Sequence, residues 1–484
     1  MLPQNTVEIL KSLNKSELKK LGDFIRSPYF NSRETLHLLF LEIDKQYPEL
    51  TDKKFEYKRI YKKIYPGEYK ESTVRNLYSD FGGLLKKFIA YEKFGSNEMH
   101  FNLELVNGLW DKKCFEQSNK IISSLKKEME STISFERGRF LNMLALEMCY
   151  SNNLNGMNKR APEEYNAAFN SLLDNLTYFF LWTGFDFQCL DSVLEKAHNI
   201  KDKKVFINKE FLKNIDMENF IKTLPQGSYS DAMKIIYLLY KYTGSDISGE
   251  QYTEFIKLIK NNFDNFDTIT KFTVWNTLLT IILLKLVPKD NKYYSEAFEL
   301  NKYFENFILV NNPDIHLAAP WYRNVISIAL VVKEYDWAKK FIDNYSGHLR
   351  EEIRDKEINY AMGRLSCQLK EHEKSLQYLN KIKFEQITER LNVNFYYLVN
   401  YIELKSYQPA ISMLNSIRQF YSESKEISEM FAVLIEDSLK YFKEIIKAEE
   451  NNKKIDYAIL KEAENAGRYY QKQYILEKLK QLVN

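Results

Sequence analysis

Residues 51–93 concentrate charge that could contact an anion: 11 Lys or Arg stand there against 6 acids. Lys58, Arg59, Lys62 and Lys63 fall opposite the apolar stripe of Phe55, Ile60 and Ile64, so one helix face could meet phosphates. The pattern favours the plainer reading of a solvated face. Other reactive types are scattered. The six histidines (His37, His100, His198, His316, His348, His372) form no i, i+4 pair, and neither HExxH nor GxSxG occurs. Cys114, Cys149, Cys189 and Cys367 lack CxxC or finger-like spacing, and read as thiols of a reducing compartment. Gly82-Gly83 lies inside an amphipathic helix and not in a phosphate-cradling loop. Ser16–Lys19 matches SxxK, but on a surface helix of a Lys-rich chain. The pairs Glu351-Glu352 and Glu449-Glu450 read as solvated helix faces and not as acid–base dyads. The expectation is a non-enzymatic protein with no catalytic residue, no metal and no cofactor.

The elements that carry these residues are helices. Gly and Pro number 15 and 10 in 484 residues, about 5% against roughly 12% in average proteins. Turn-rich β folds consume those residues, so the fold class is all-α. A net charge of +3 predicts no general polyanion binding. The 34 Tyr and 32 Phe are expected to fill wide helix–helix seams. The N-terminus MLPQNTVEILKSLNKSELKK has no apolar h-region, and the apolar window Thr277–Val287 contains Lys285 and is short for a bilayer. A cytoplasmic protein without membrane insertion follows as the expectation.

Four segments are expected. Residues 1–95 form a helical module. There Asn14 with Glu17 and Asn31 with Glu34 read as capping boxes, and helix stops fall at Ser27-Pro28, Pro48 and Pro66-Gly67. The first of its helices is the one that ends at Ser27-Pro28. Residues 96–310 continue as irregular helical hairpins with polar breaks near Asn152–Pro162, Lys201–Lys204, Pro225–Tyr229, Gly244–Gly249 and Pro288–Lys292. Lys204–Ile207 is a lone strand candidate. Residues 311–425 hold repeats, and 426–484 supply C-terminal capping helices.

The repeat is a phrase: KEYDWA at Lys333–Ala338, KEHEKS at Lys370–Ser375 and KSYQPA at Lys405–Ala410. Ala338, Ser375 and Ala410 are small, and Ile342, Leu379 and Leu414 follow four residues later on one helical face. Weaker echoes stand at Cys114–Ser118 and Tyr294–Ala297. Small residues stepping by 37 and 35 suit a stacked array of helical hairpins.

This pattern resembles the tetratricopeptide repeat, a pair of antiparallel helices. Gly363, twelve residues before Ser375, matches that family's small position, whereas Arg350, Ile387 and Ser422 stand where its closing proline would be. The match is degenerate and clear only over about 320–425. From LKSLNKSELKKLGDFIRSPYFN onward the chain is also similar to a bacterial group of helical-repeat proteins, and that similarity imports no activity. The resemblance implies a superhelix whose first helices line a groove. Arg323, Asn324, Ser327, Tyr360, Arg364, Gln368, Tyr396 and Glu403 are then the candidate partner contacts. Under it, Arg323 and Arg364 would pair with a partner's carboxylates.

The expected function is therefore an interaction or scaffold protein that binds a protein or peptide. The alternative is a nucleic-acid-binding regulator using Lys58, Arg59, Lys62 and Lys63, with the repeats as sensor. Against the alternative, the Tyr65–Ser72 connection is longer than the tight turn of a helix-turn-helix motif.

Overall fold

The computed structural model describes the chain except residues 132–133, 158–161, 198–206, 226, 311, 313–314, 384–386, 424–428, 468 and 484. The polar break at Lys201–Lys204 and residues 204–206 of the strand candidate lie outside the described residues. Among those described the fold is all-α, and extended pairing is confined to one bridge between Phe135 and Phe266.

Contacts divide the chain into two compact units, Met1–Glu128 with Ala145–Asn170, and Met129–Leu144 with Ser171–Asn484. The first contains α1 (Gln4–Ser12), α2 (Lys15–Arg26), α3 (Glu34–Asp44), α4 (Tyr57–Ile64), α5 (Glu71–Ser96), α6 (Glu98–Asp111) and α7 (Phe115–Ser131). The division falls within the last turn of α7, within α8 (Arg137–Gly156) and within α9 (Pro162–Ala197). The second unit continues with α10 (Ile207–Lys213), α11 (Met217–Thr223), α12 (Ser228–Gly244), α13 (Gly249–Asn262), α14 (Thr268–Ile281) and α15 (Lys292–Phe304). Then follow α16 (Ala319–Val331), α17 (Tyr335–Tyr345), α18 (Glu351–Gln368), α19 (His372–Leu379), α20 (Ile387–Glu403) and α21 (Tyr407–Glu423). The chain closes with α22 (Glu429–Glu450), α23 (Tyr457–Asn465) and α24 (Lys472–Val483).

In the first unit, residues between Leu2 and Phe88 form their own apolar core. Asn14 caps α2 in a complete capping box with Glu17. The second box is corrected. Asn31 does not cap α3, whose N-cap is Arg33. Its Oδ1 instead accepts from the Arg33 N–H, while its Nδ2 donates to the carbonyls of Ile25 and Arg33. A short Asn side chain satisfied by the local turn is no longer free to start a helix. The helix ending before Pro28 is also not the first, since α1 precedes it and buries Thr6 and Leu10. Gly82 accommodates that contact, because a Cβ there would stand 3.1 Å from Thr6 Oγ1.

Five helices end in one type of turn. Lys113, Lys333, Lys370, Lys405 and Asn452 all have positive φ, between 52° and 65°. In each turn the next residue's N–H bonds five residues back: Cys114 to Leu109, Glu334 to Ala329, Glu371 to Ser366, Ser406 to Tyr401 and Lys453 to Ala448, at 2.8–2.9 Å. This scheme satisfies carbonyls that a helix end would orphan, which offsets the roughly 1–2 kcal/mol that the left-handed conformation costs a residue with a Cβ. Three of these lysines open the recurring phrase, and Lys113 precedes its echo at Cys114. Behind each of the four lysine turns a small residue is wholly buried: Ser118, Ala338, Ser375 and Ala410. At Ser375 the approach is tied by a hydrogen bond, its hydroxyl donating to the Gly363 carbonyl at 2.7 Å.

Aromatic rings fill the seams of the second unit, as at Trp275 and Trp321, whose centroids lie 4.4 Å apart. Near the second echo Asn301 is fully buried and accepts from Trp275 Nε1 at 3.0 Å. By length and composition the stretch Thr268–Leu286 could cross a membrane; its mean hydropathy is 1.4 and 44% of it is buried. Lys285 within it pairs with Asp246 at 3.6 Å.

Candidate functional site

Helices α16, α18 and α20 bring five of the sequence-derived contact residues together. Arg323 and Ser327 are one turn apart on α16, Tyr360 and Arg364 one turn apart on α18, and Tyr396 projects from α20. Each pair shares a helix face because four residues make slightly more than one turn.

The cluster is closed by its own bonds. Arg323 Nε donates to Glu357 Oε2 at 2.5 Å, its Nη2 donates to Glu357 Oε1, and its Nη1 donates to Glu389 Oε1 at 2.5 Å. Glu357 is fully buried, and Lys356 Nζ stands 3.6 Å from Glu389. The bidentate fork is the geometry in which a guanidinium holds a carboxylate most firmly.

Arg364, also buried, makes its hydrogen bonds to neutral groups. Its Nε donates to Tyr396 Oη at 3.1 Å, Nη2 to Ser327 Oγ at 2.6 Å and Nη1 to the Arg323 carbonyl at 3.4 Å. Its guanidinium also lies over the Tyr360 ring at 5.2 Å and the Tyr396 ring at 5.7 Å, where ring quadrupoles favour a cation. Burial pushes the Tyr360 phenol up to about 12 despite the neighbouring guanidinium. The arginines stay charged and that phenol stays protonated at neutral pH. Such groups hold structure and do not transfer protons.

The remaining candidates separate into two kinds. Asn324 and Gln368 are exposed. Glu403 is engaged by α24, accepting from Tyr474 Oη at 2.8 Å and from Lys478 Nζ at 2.9 Å, and Lys478 also reaches Glu449 at 3.0 Å. Burial opposes ionisation of Glu403, but Lys478 and Tyr474 hold its carboxyl below the usual range. Of the basic residues, Lys58, Arg59, Lys62 and Lys63 are all exposed on α4; Lys63 pairs with Glu42, and Lys58 lies 5.8 Å over the Tyr69 ring.

Sequence reasoning missed Glu357, Glu389 and the α24 residues. A signal existed for the first: Glu357, Tyr360 and Arg364 recur at three- and four-residue steps, putting charge on a stripe that includes buried Ala361 and Leu365. The partners Arg323 and Glu357 are also 34 residues apart, about one repeat. A second polar chain runs from His372 Nδ1 to Asn400 Oδ1 at 2.9 Å and from Asn400 Nδ2 to Ser375 Oγ at 2.8 Å.

An open cleft of about 620 Å³ lies between α13 and α15, with Tyr252, Lys260, Glu296 and Lys302 among its lining. In the first unit a cleft of about 200 Å³ lies between α6 and α8. Among the described residues no three His, Cys, Asp or Glu side chains are grouped to hold a metal ion. All four cysteines are unpaired, with Cys189 and Cys367 buried, and burial raises both of those thiols to about 12. No family model, curated protein or solved structure matches this chain, and its described residues form an all-helical protein.

Proposed function

We propose that this protein is a non-enzymatic, intracellular binding or scaffold protein whose tetratricopeptide-like helical hairpins receive a protein or peptide partner. The observation that carries the reading is the recurrence of one hairpin turn at Lys333, Lys370 and Lys405, each followed by a buried small residue. Stacked hairpins expose a long continuous surface, which suits them to extended polypeptide ligands. The engagement of Arg323, Arg364, Tyr360 and Tyr396 with one another narrows the contact surface. Asn324 and Gln368, exposed on the first helices of two hairpins, are its leading contacts. The unpaired cysteines support a reducing compartment.

A photo-crosslinking residue placed at Asn324 or Gln368 of the full chain, in its native cell, tests this. Cross-links to a polypeptide should concentrate there and be sparse at exposed Lys339. Equal labelling at all three positions would remove the groove from the argument.

The second reading, a nucleic-acid-binding regulator, draws on the exposure of Lys58, Arg59 and Lys62. It requires that DNA binding by the full chain fall steeply with salt and be lost in Lys58→Glu/Arg59→Glu/Lys62→Glu.

A further inference from the structure

The cleft between α6 and the last turns of α8 combines open volume with a buried polar atom that has no partner. Asn153, one of its lining residues, is 0% exposed. Its Nδ2 donates to Ser118 Oγ and to Asn119 Oδ1, both at 2.7 Å, while its Oδ1 has no hydrogen-bond partner. A buried acceptor without a donor disfavours the folded state, so a donor brought into the cleft gains that bond.

The rest of the lining selects the donor. Asn107, Trp110 and Asp111 enter from α6, and Cys149 and Asn152 from α8. Asn107 Oδ1 already accepts from Cys149 Sγ at 3.5 Å, which orients that carboxamide. Trp110 is 44% exposed and offers an indole face. The lining therefore holds a carboxylate side chain, three carboxamides and an aromatic ring, with no cationic side chain among its residues. A volume of about 200 Å³ is below the roughly 300–1,000 Å³ of sites for whole small molecules, and suits one side chain.

We propose that this cleft binds the guanidinium of an arginine side chain presented by a polypeptide. A guanidinium is planar, carries five donors, and is attracted both to a carboxylate and to an indole face. Asp111 supplies the charge, Trp110 the ring and Asn153 the acceptor. The proposal takes from the preceding reading only that the partner is a polypeptide, and its site is separate from Asn324 and Gln368.

The full chain labelled with 5-fluorotryptophan has five Trp resonances, of which Trp110→Phe identifies one. Acetyl-Gly-Arg-Gly-amide should shift the Trp110 resonance saturably, with a Kd on the order of 1 mM. The citrulline analogue should leave it unmoved, the lysine analogue should bind more weakly, and Asp111→Asn should weaken arginine binding about tenfold. An unmoved Trp110 resonance, equal binding of citrulline or lysine, or indifference to Asp111→Asn would each overturn the assignment. Asp111 is exposed, so that variant reports on the site without risk to the core. Cross-links at Asn324 and Gln368 are read independently, and their persistence when arginine fails to bind would leave the groove reading standing.

Discussion

Replacing Arg323 with alanine would show whether the α16–α18–α20 cluster is a structural clamp. In the native chain both oxygens of fully buried Glu357 are taken by the Arg323 fork, and Glu389 by its remaining nitrogen. Without the guanidinium, Lys356 Nζ still stands 3.9 Å from Glu357 and 3.6 Å from Glu389. Removing one side of a buried ion pair costs about 3–5 kcal/mol. Lys356 compensates part of that, so the expected loss is about 3 kcal/mol. The double variant Arg323→Met/Glu357→Met should recover to within about 1 kcal/mol of the native protein, because both desolvated charges are gone and Glu389 retains Lys356. Urea unfolding followed by circular dichroism and by tryptophan fluorescence reads this, with Trp321 two residues from the substitution. Each transition is fitted separately, since a chain of two compact units need not unfold in one step. A loss below about 1 kcal/mol for Arg323→Ala, or a double variant as damaged as the single one, would refute the clamp. The same reasoning changes how binding is tested: alanine at Arg323 and Arg364 together perturbs the fold, whereas Asn324 and Gln368 can be changed at the surface.

Two further outcomes are expected. Burial raises the carboxyl of Asp186 on α9 from 3.8 to about 6, with the charge of Asp267 adding to the rise and Arg137 and the Trp182 N–H opposing it. The folded-state value lies above the unfolded one, so stability is lost as pH rises from about 4 through about 6. Asp186→Asn should therefore gain about 2–3 kcal/mol at pH 7 and nothing below about pH 4 in thermal melts, and a gain independent of pH would contradict this. At Gly363 an added Cβ would meet Leu379 Cδ2 at 2.7 Å and Cγ at 2.9 Å. Gly363→Ala gains about 1 kcal/mol of helix propensity but overpacks by about 1–3 kcal/mol, so a net loss should appear in urea melts and shrink when Leu379→Val is added. Net stabilisation would mean that the two helices do not approach this closely.

The local features were legible where a few neighbouring residues decide them. The Asn14–Glu17 cap, the helix stop before Pro28 and the small residues behind the lysine turns all depend on groups within one or two turns of chain. Asn31 escaped because the same side chain can cap a helix or close a turn, and only the nearby Ile25 carbonyl settles the competition. The left-handed conformation of Lys333, Lys370 and Lys405 was not legible either, since that position usually takes glycine. The recurring phrase marked the turn without stating its geometry.

By itself the sequence determined an all-helical chain, some helix ends such as the Asn14 cap and the stop before Pro28, and which residues share a face, because helical period and capping are local physics. Only the tertiary structure decided that Arg323 is held by Glu357 and Glu389, that Arg364 bonds to a phenol and a hydroxyl, and that Glu403 is engaged by α24. A helical stripe gives the direction of a side chain from its own axis. What it meets there depends on how helices carrying residues 32 to 71 positions apart come to lie against one another, and that is set by packing of the whole unit.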